Sequence, residues 1–438
     1  MTMKNVDHSL SYRLRLLLAH RDLIRSKVPF VTQRYIEAFR RSQLAAARKL
    51  KGKEQIEVAF FLTIPGMWKA DYLFRAMQAN PRYHPYIVIY PYSQYKGFSK
   101  DNINETLRRT EEFIKQRGFE YVIPYDSQSG RWIDVKRQLK PDIVFFSTPY
   151  KDHLPQYFIY HFRDCLTCYI PYSYTNFSYM YESNYNLLFH NLVGCYFLET
   201  DVHLKLYSEH SRCSGRNGIV TGYPGTEVFL HHEYQPTDTW KIQDKKKKRV
   251  IWAPHHSIEE GFALSSFLLI CDDMLRLTQK YADKIQFAFK PHQLLKFKLQ
   301  QIWGTQRTDD YYAEWKRREN TQIEESSYVD LFLTSDAMIH DSGSFTTDYI
   351  YTQKPVLFTV RNEAVRSKFS PIGEKMFDVH YKSHTVEDID HFLSDTVLGG
   401  NDPMATERKE AYKRYLQPTD GKMPSEHIID EIEKLVNS

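Results

Sequence analysis

Short, almost wholly apolar runs recur along this chain, and stretches of helical periodicity separate them. Residues 56–63, 86–90, 121–124, 142–147, 168–171 and 194–198 form one set; residues 250–254, 285–289, 337–339 and 355–359 form a second. A strand with one face in water alternates apolar and polar residues. These runs do not alternate, so both of their faces must be covered. Helical patterns at 68–79, 102–117, 132–139 and 262–281 supply the cover. Parallel strands need crossovers of about a dozen residues or more, which helices provide. The chain is therefore read as α/β, with two Rossmann-like parallel sheets.

A polar stretch, 231–249, divides the two sets and ends in Lys245-Lys246-Lys247-Lys248-Arg249. Such a run is usually a solvated connection. It separates an N-terminal domain at 55–235 from a C-terminal domain at 249–438. Residues 1–54 read as a basic helical extension, with Arg13, Arg15, Arg21, Arg25, Arg34, Arg40 and Arg41 facing only Asp22 and Glu37. Leu14, Leu16, Leu17, Leu18, Ile24 and Val28 lie between the charges, and Pro29 should break or kink the segment. A basic amphipathic helix can lie on an anionic membrane surface, or pack on its own domain with its charges in water.

Bulk properties exclude several classes. A net charge of +5 over 438 residues is too mild for general nucleic-acid binding. Five cysteines, an odd number, argue against a disulfide framework and for a reducing compartment. Cys165 and Cys168 have redox-like spacing but sit in an apolar run, which makes them structural. No run is long and apolar enough to span a bilayer, and the N-terminus lacks a signal peptide's apolar core. The expected location is the cytoplasm, including the inner face of the membrane. Neither G-x-G-x-x-G nor G-x-x-x-x-G-K-[ST] occurs, which disfavours nicotinamide enzymes and P-loop NTPases. The 32 tyrosines suit amphipathic surfaces such as sugar clefts.

In parallel sheets, ligand groups gather where strands end. Three runs of the second set end in unusual residues: His255-His256-Ser257, Lys290-Pro291-His292, and His340-Asp341-Ser342-Gly343-Ser344. The last opens a helical stretch, so its amides and hydroxyls form a ready anion site. An ordinary capped helix is the plainer reading of that turn alone. If the three strands are neighbours, imidazoles, one ammonium and the Ser–Gly–Ser amides converge, a set suited to a diphosphate. Lys290 would screen charge, and His292 would donate a hydrogen bond or proton to a bridging oxygen. Asp348, one turn into the helix, would bind a hydroxyl of the transferred group or favour the helix's positive end.

Taken in order, these residues resemble the CDP-glycerol glycerophosphotransferases, the teichoic-acid and capsule polymerase group with a GT-B fold. The matching landmarks are Ala253-Pro254-His255-His256, Lys290-Pro291-His292, Asp341-Ser342-Gly343-Ser344 with Asp348-Tyr349, and Lys354-Pro355-Val356-Leu357-Phe358. Thr221-Gly222-Tyr223-Pro224 and Asp420-Gly421-Lys422 with Ser425-Glu426-His427-Ile428 extend the likeness over 222–435. The resemblance implies a GT-B enzyme, with two Rossmann-like domains facing across a cleft. It would pass glycerol phosphate or a similar polyol phosphate from a CDP-activated donor to a glycan or lipid-linked acceptor. Catalysis then falls to His292, His256 and Asp348. Donor binding falls to His255, Lys290, Asp341, Ser342, Gly343, Ser344, Thr346, Thr347 and Gly222. No carboxylate pair has obvious metal spacing, so neither metal nor cofactor is expected.

Two departures stand out. The family's W-H-G-T segment, with its proposed base, is matched only by Cys168-Tyr169-Ile170-Pro171-Tyr172-Ser173-Tyr174, which has no histidine, and Gly343 replaces a serine. Gly66, Asp71, His153 and Tyr172 are the acceptor-side candidates. D-S-G-S also resembles the D-S-G-G phosphate turn of UDP-N-acetylglucosamine 2-epimerases, so a UDP-sugar glycosyltransferase or epimerase is the alternative. A non-catalytic polymer-binding homologue is the third reading.

Overall fold

The computed structural model describes residues 29–91, 100–126, 131–151, 153–259, 263–324, 328–418 and 420–438. The chain divides into two compact units. One comprises Met1–Ser173, Met180–Glu227 and Pro418–Ser438; the other comprises Tyr174–Tyr179 and Val228–Gln417. The division falls near the expected crossover, but the units are not contiguous segments. The closing helix joins the first unit, and six residues from the first half join the second.

The first unit holds a seven-stranded parallel sheet. Its strands are β1 (Ile56–Leu62), β2 (Tyr83–Ile89), β3 (Tyr121–Val122), β4 (Ile143–Phe146), β5 (Leu166–Tyr169), β6 (Cys195–Leu198) and β7 (Gly218–Val220). The order is β3-β2-β1-β4-β5-β6-β7. Such a sheet reverses its winding between β1 and β4, and that is where ligand crevices form. The central strands are buried on both faces, as their uninterrupted apolar runs require. Phe60 of β1 stacks on Phe145 of β4, with centroids 4.5 Å apart.

The described residues open with helix Pro29–Arg48. Read from sequence as part of an extension, it is instead a layer of this unit. Ile36, Phe39 and Ala47 are fully buried. Gln43 accepts hydrogen bonds from the amide and hydroxyl of Thr167 on β5, both at 2.8 Å. The apolar positions proposed to face a membrane, Leu14 to Val28, lie outside the described residues. The closing helix Pro424–Asn437 buries Ile428, Ile432 and Val436, one stripe at helical spacing, against helices Pro29–Arg48 and Asp71–Ala79. Glu227 anchors its start by accepting from the amide (2.8 Å) and hydroxyl (2.6 Å) of Ser425.

The second unit repeats the plan. Strands β8 (Lys248–Ala253), β9 (Ile285–Phe289), β10 (Thr321–Ile323), β11 (Ala337–His340), β12 (Val356–Thr359) and β13 (Tyr381–Ser383) form one parallel sheet in the order β10-β9-β8-β11-β12-β13. Trp252 on β8 anchors the core, with its ring stacked on Phe267 (5.5 Å) and Phe289 (5.0 Å). Lys354 explains the Lys-Pro landmark. Its ammonium donates to the carbonyls of Phe332, Leu333 and Ser335, closing the C-terminal end of helix Val329–Thr334. All five cysteines are buried free thiols. Among the described residues, no helix is long and apolar enough to cross a membrane.

Candidate active site

The strands carrying the three motifs are neighbours. β9 and β11 flank β8, and Ala253 pairs in register with His340 while Trp252 pairs with Phe289. The strand ends therefore lie level at the sheet's switch point. Beyond the ladder, the His292 amide donates to the Pro254 carbonyl (3.1 Å), which carries the alignment into the loops.

Each of the three strands ends in a histidine with the same local bond. The amide of Ser257 donates to His255 Nδ1 (3.3 Å), that of Leu294 to His292 Nδ1 (3.2 Å), and that of Ser342 to His340 Nδ1 (3.1 Å). A nitrogen that accepts cannot also carry the proton, so each neutral ring is the Nε2–H tautomer. His340 spends that proton internally. It is fully buried, with its Nε2 3.1 Å from Nε2 of His380, whose Nδ1 lies 2.7 Å from the Met376 carbonyl. The pair is self-satisfied, so His340 braces the sheet rather than meeting a ligand.

His255, His256 and His292 instead cluster with one another. Their ring centroids lie 4.3 Å (His255–His256), 4.2 Å (His256–His292) and 5.2 Å (His255–His292) apart. Burial depresses all three, Lys298 adds to it in each, and neighbouring imidazoles add to it for His255 and His292. His292 falls to about 3, His256 falls to about 4 through burial and Lys298, and His255 lies well below the usual range. All are neutral at pH 7. Nδ1 of His256 is buried with no hydrogen-bond partner among the described residues, an open polar atom on the cluster. Ring nitrogens of the three lie within 4.8 Å of one another, near enough for a metal ion. A metal on Nε2 of His255 or His292 would displace the proton that the Nδ1 bonds place there, so the donor set fits an anion better.

The other expected site residues divide by role. Asp341 is a tie rather than a ligand. Fully enclosed, it accepts from the His255 amide (2.6 Å), the Ser266 amide (2.7 Å) and the Thr359 hydroxyl (3.2 Å), and burial pushes it up to about 6. Lys290 is mostly buried, with its Nζ 3.4 Å from the Glu324 carbonyl. Ser342, Gly343 and Ser344 form the turn after β11, and Ser344 is part-exposed. The hydroxyls of Thr346 and Thr347, expected at the donor, are committed inside the unit, to the Ser342 carbonyl (2.9 Å) and Asn176 Oδ1 (2.8 Å). Asp348 is 3% exposed and hydrogen-bonds Tyr328. No sequence pattern marks Asn176, which lies far from the motif along the chain.

Gly222 lies in the first unit, at φ +79° beside Pro424. The four acceptor-side candidates are also there. Gly66 is exposed in the 3-10 turn Pro65–Met67. Asp71 opens helix Asp71–Ala79 and pairs with Arg117 (3.2 Å). His153 is buried edge-on to Tyr90 (5.1 Å) and Phe158 (5.0 Å), and Tyr172 sits 6.3 Å from Tyr150.

The family model for CDP-glycerol:poly(glycerophosphate) glycerophosphotransferase matches residues 198–434, more than half of the 438. Among solved structures, a variant of the wall teichoic acid polymerase TagF aligns over 98% of this chain and 98% of its own, at 13% identity and TM-score 0.55. S. aureus MnaA with UDP aligns over 88% of this chain and 97% of its own, at 17% identity and TM-score 0.56. UDP-GlcNAc 2-epimerase from Neisseria meningitidis, bound to UDP-GlcNAc, aligns over 87% of this chain and 100% of its own, at 16% identity and TM-score 0.53. At such identities the likeness is one of fold. No curated protein matches by sequence.

Proposed function

The chain belongs to the CDP-glycerol:poly(glycerophosphate) glycerophosphotransferase family, and from that premise we propose how its second unit handles the donor. The protein is a CDP-glycerol glycerophosphotransferase-like transferase. It moves glycerol phosphate, or a similar polyol phosphate, from a CDP-activated donor to a hydroxyl of a glycan or lipid-linked acceptor in teichoic-acid-like polymer synthesis. The acceptor oxygen attacks the donor's β-phosphorus and a new P–O bond forms. The bond from that phosphorus to the bridging oxygen breaks, and CMP leaves with the electron pair while the hydroxyl proton is released.

The observation that carries the site assignment is the histidine cluster with its fixed tautomers. His255 and His292 offer Nε2–H groups without a charge of their own. Hydrogen-bond donors aimed where charge builds up on the leaving oxygen lower the barrier most effectively when they are held in place beforehand. Lys290 adds positive charge at the end of β9, and the 342–344 turn adds amides. Asp341 holds the His255 backbone, so its role is to position the ring. The test is CMP release from CDP-glycerol with a glycan acceptor. Wild type should release CMP, and His292→Ala should release it at only a small fraction of that rate. Release of UDP from a UDP-sugar, with no CMP from CDP-glycerol, would overturn the reading.

A lipid-linked acceptor would bring the enzyme to a membrane face, and basic residues Arg13 to Lys27 would then meet anionic lipid. Vesicle flotation of the full chain against one lacking residues 1–28 tests this. Equal flotation removes the idea. Cutting at 54 would be a poor test, because it strips helix Pro29–Arg48 from the first unit's core.

A further inference from the structure

The turn after β11 is held by a segment from a distant part of the sequence. Residues Tyr174–Tyr179 follow β5 in the chain yet belong to the second unit. Asn176 is 2% exposed and uses its whole amide. Its Nδ2 donates to the Gly343 carbonyl (2.8 Å), and its Oδ1 accepts from the Thr347 hydroxyl (2.8 Å). Its own carbonyl accepts from the Ser370 amide (2.7 Å), and a Cβ on Gly373 would overlap that carbonyl. Phe177 stacks on Phe369 at 5.2 Å and covers Gly343 so closely that a Cβ there would overlap the ring. Glycine at 343, where the D-x-S-S pattern has serine, is thus matched to an aromatic ring about 166 residues earlier (343 − 177).

We propose that Asn176 and Phe177 are positioning residues of the donor site: they set the shape of the 342–347 turn and so its grip on the donor's diphosphate. This rests on reading that turn as the donor's phosphate cradle. Asn176 spans the turn, bonding a carbonyl at one end and a hydroxyl at the other. A short turn followed by only one turn of α-helix, Phe345–Asp348, has little regular structure to fix it, so side-chain bonds must do so. Phe177 closes the open side of Gly343 and removes the freedom that glycine would otherwise retain. The stretch that lacks the family's histidine therefore leads directly into a clamp on the donor turn.

The test is calorimetric titration of the full chain with CDP, alongside kcat, KM for donor and acceptor, and Tm, for wild type and variants. Asn176→Ala should weaken CDP binding and raise donor KM about tenfold, the size of one or two buried hydrogen bonds. Acceptor KM should not change. Asn176→Asp keeps the acceptor for Thr347 but loses the donor to Gly343, and should fall between wild type and Asn176→Ala. Gly343→Ser should lose CDP binding, and Phe177→Ala added to it should recover binding by vacating the ring's space. Folded Asn176→Ala and Asn176→Asp proteins with wild-type affinity for CDP would overturn the inference. So would a double variant no better than Gly343→Ser. If Asn176→Ala does not fold, the Gly343→Ser pair decides. A wild type that binds no CDP overturns the donor reading as well, which separates the two failures.

Discussion

The two sheets share the order of six strands, the first adding a seventh at its edge, and end in different chemistry. In the second unit the ends of β8, β9 and β11 carry His255, His292 and His340, with Lys290 and Asp341 among them. In the first unit the corresponding edge carries Thr63 after β1, Tyr90 after β2, Thr148 and Tyr150 after β4 and Tyr172 after β5. The fold fixes where a ligand can lie, and the residues at the strand ends decide which ligand it is. Imidazole N–H groups and an ammonium suit phosphate. Of the first unit's residues, Thr63, Tyr90 and Thr148 are buried, and Tyr150 and Tyr172 are half-buried.

The sharpest way to break this contrast is one histidine from each edge. His292→Ala should cut kcat for CMP release roughly 10²–10³-fold, the usual size of a lost acid–base or charge-stabilising group. His153→Ala removes a ring packed among aromatic side chains, and its rate should fall much less. Equal losses in steady-state CMP assays would mean that chemistry is shared evenly between the edges.

Asp341→Asn comes next. The carboxylate accepts on both oxygens from groups that can only donate, so an amide must turn its NH₂ toward a buried N–H. The expected cost is about 2 kcal/mol, typical of a lost charged hydrogen bond, read as a lower denaturation midpoint. An unchanged midpoint would show that the three strand ends do not depend on this tie.

Much of this was legible in sequence, for identifiable reasons. β8, β9, β11 and β12 were anticipated because strands buried on both faces are continuous apolar runs. β10 and β13 were not, since Thr321-Gln322-Ile323 and Tyr381-Lys382-Ser383 are short edge strands with polar residues. Lys290-Pro291-His292 was found because its residues are contiguous. Asn176 was invisible because its role depends on bonds to Gly343 and Thr347 across the unit, and no local spacing encodes such a contact. Aspartate and threonine at a strand end look like ligands in sequence. Only the tertiary bonds show that Asp341, Thr346 and Thr347 are already engaged.

Acid should separate the units more gently. In the second unit burial holds His292 and His340 near 3 and His256 near 4, with His255 and His380 also well below the ordinary value. In the first, burial likewise lowers His190 to about 3, whereas Glu57 raises His84. A group whose folded pKa is depressed below its unfolded value near 6.5 binds fewer protons when folded. Its stabilising contribution is complete above about 6.5 and is lost as pH falls toward 3 or 4. Amide hydrogen exchange at pH 7.5 and 5.0 should therefore show β8, β9 and β11 losing more protection than β1 and β4. Equal losses would indicate that the units unfold as one.

The smallest expected effect is none, and it tests the tautomers directly. Were the histidine cluster a metal site, EDTA would abolish CMP release and zinc would restore it. The amides of Ser257 and Leu294 point at Nδ1 of His255 and His292, so their Nε2 atoms carry the protons. A zinc ion would have to displace those protons and force each ring either to bear charge or to turn against a backbone donor. Activity should be indifferent both to EDTA and to added zinc. An EDTA-sensitive rate recovered by zinc would reverse the tautomer assignment. With it would go the claim that the second unit's edge meets its donor with N–H groups.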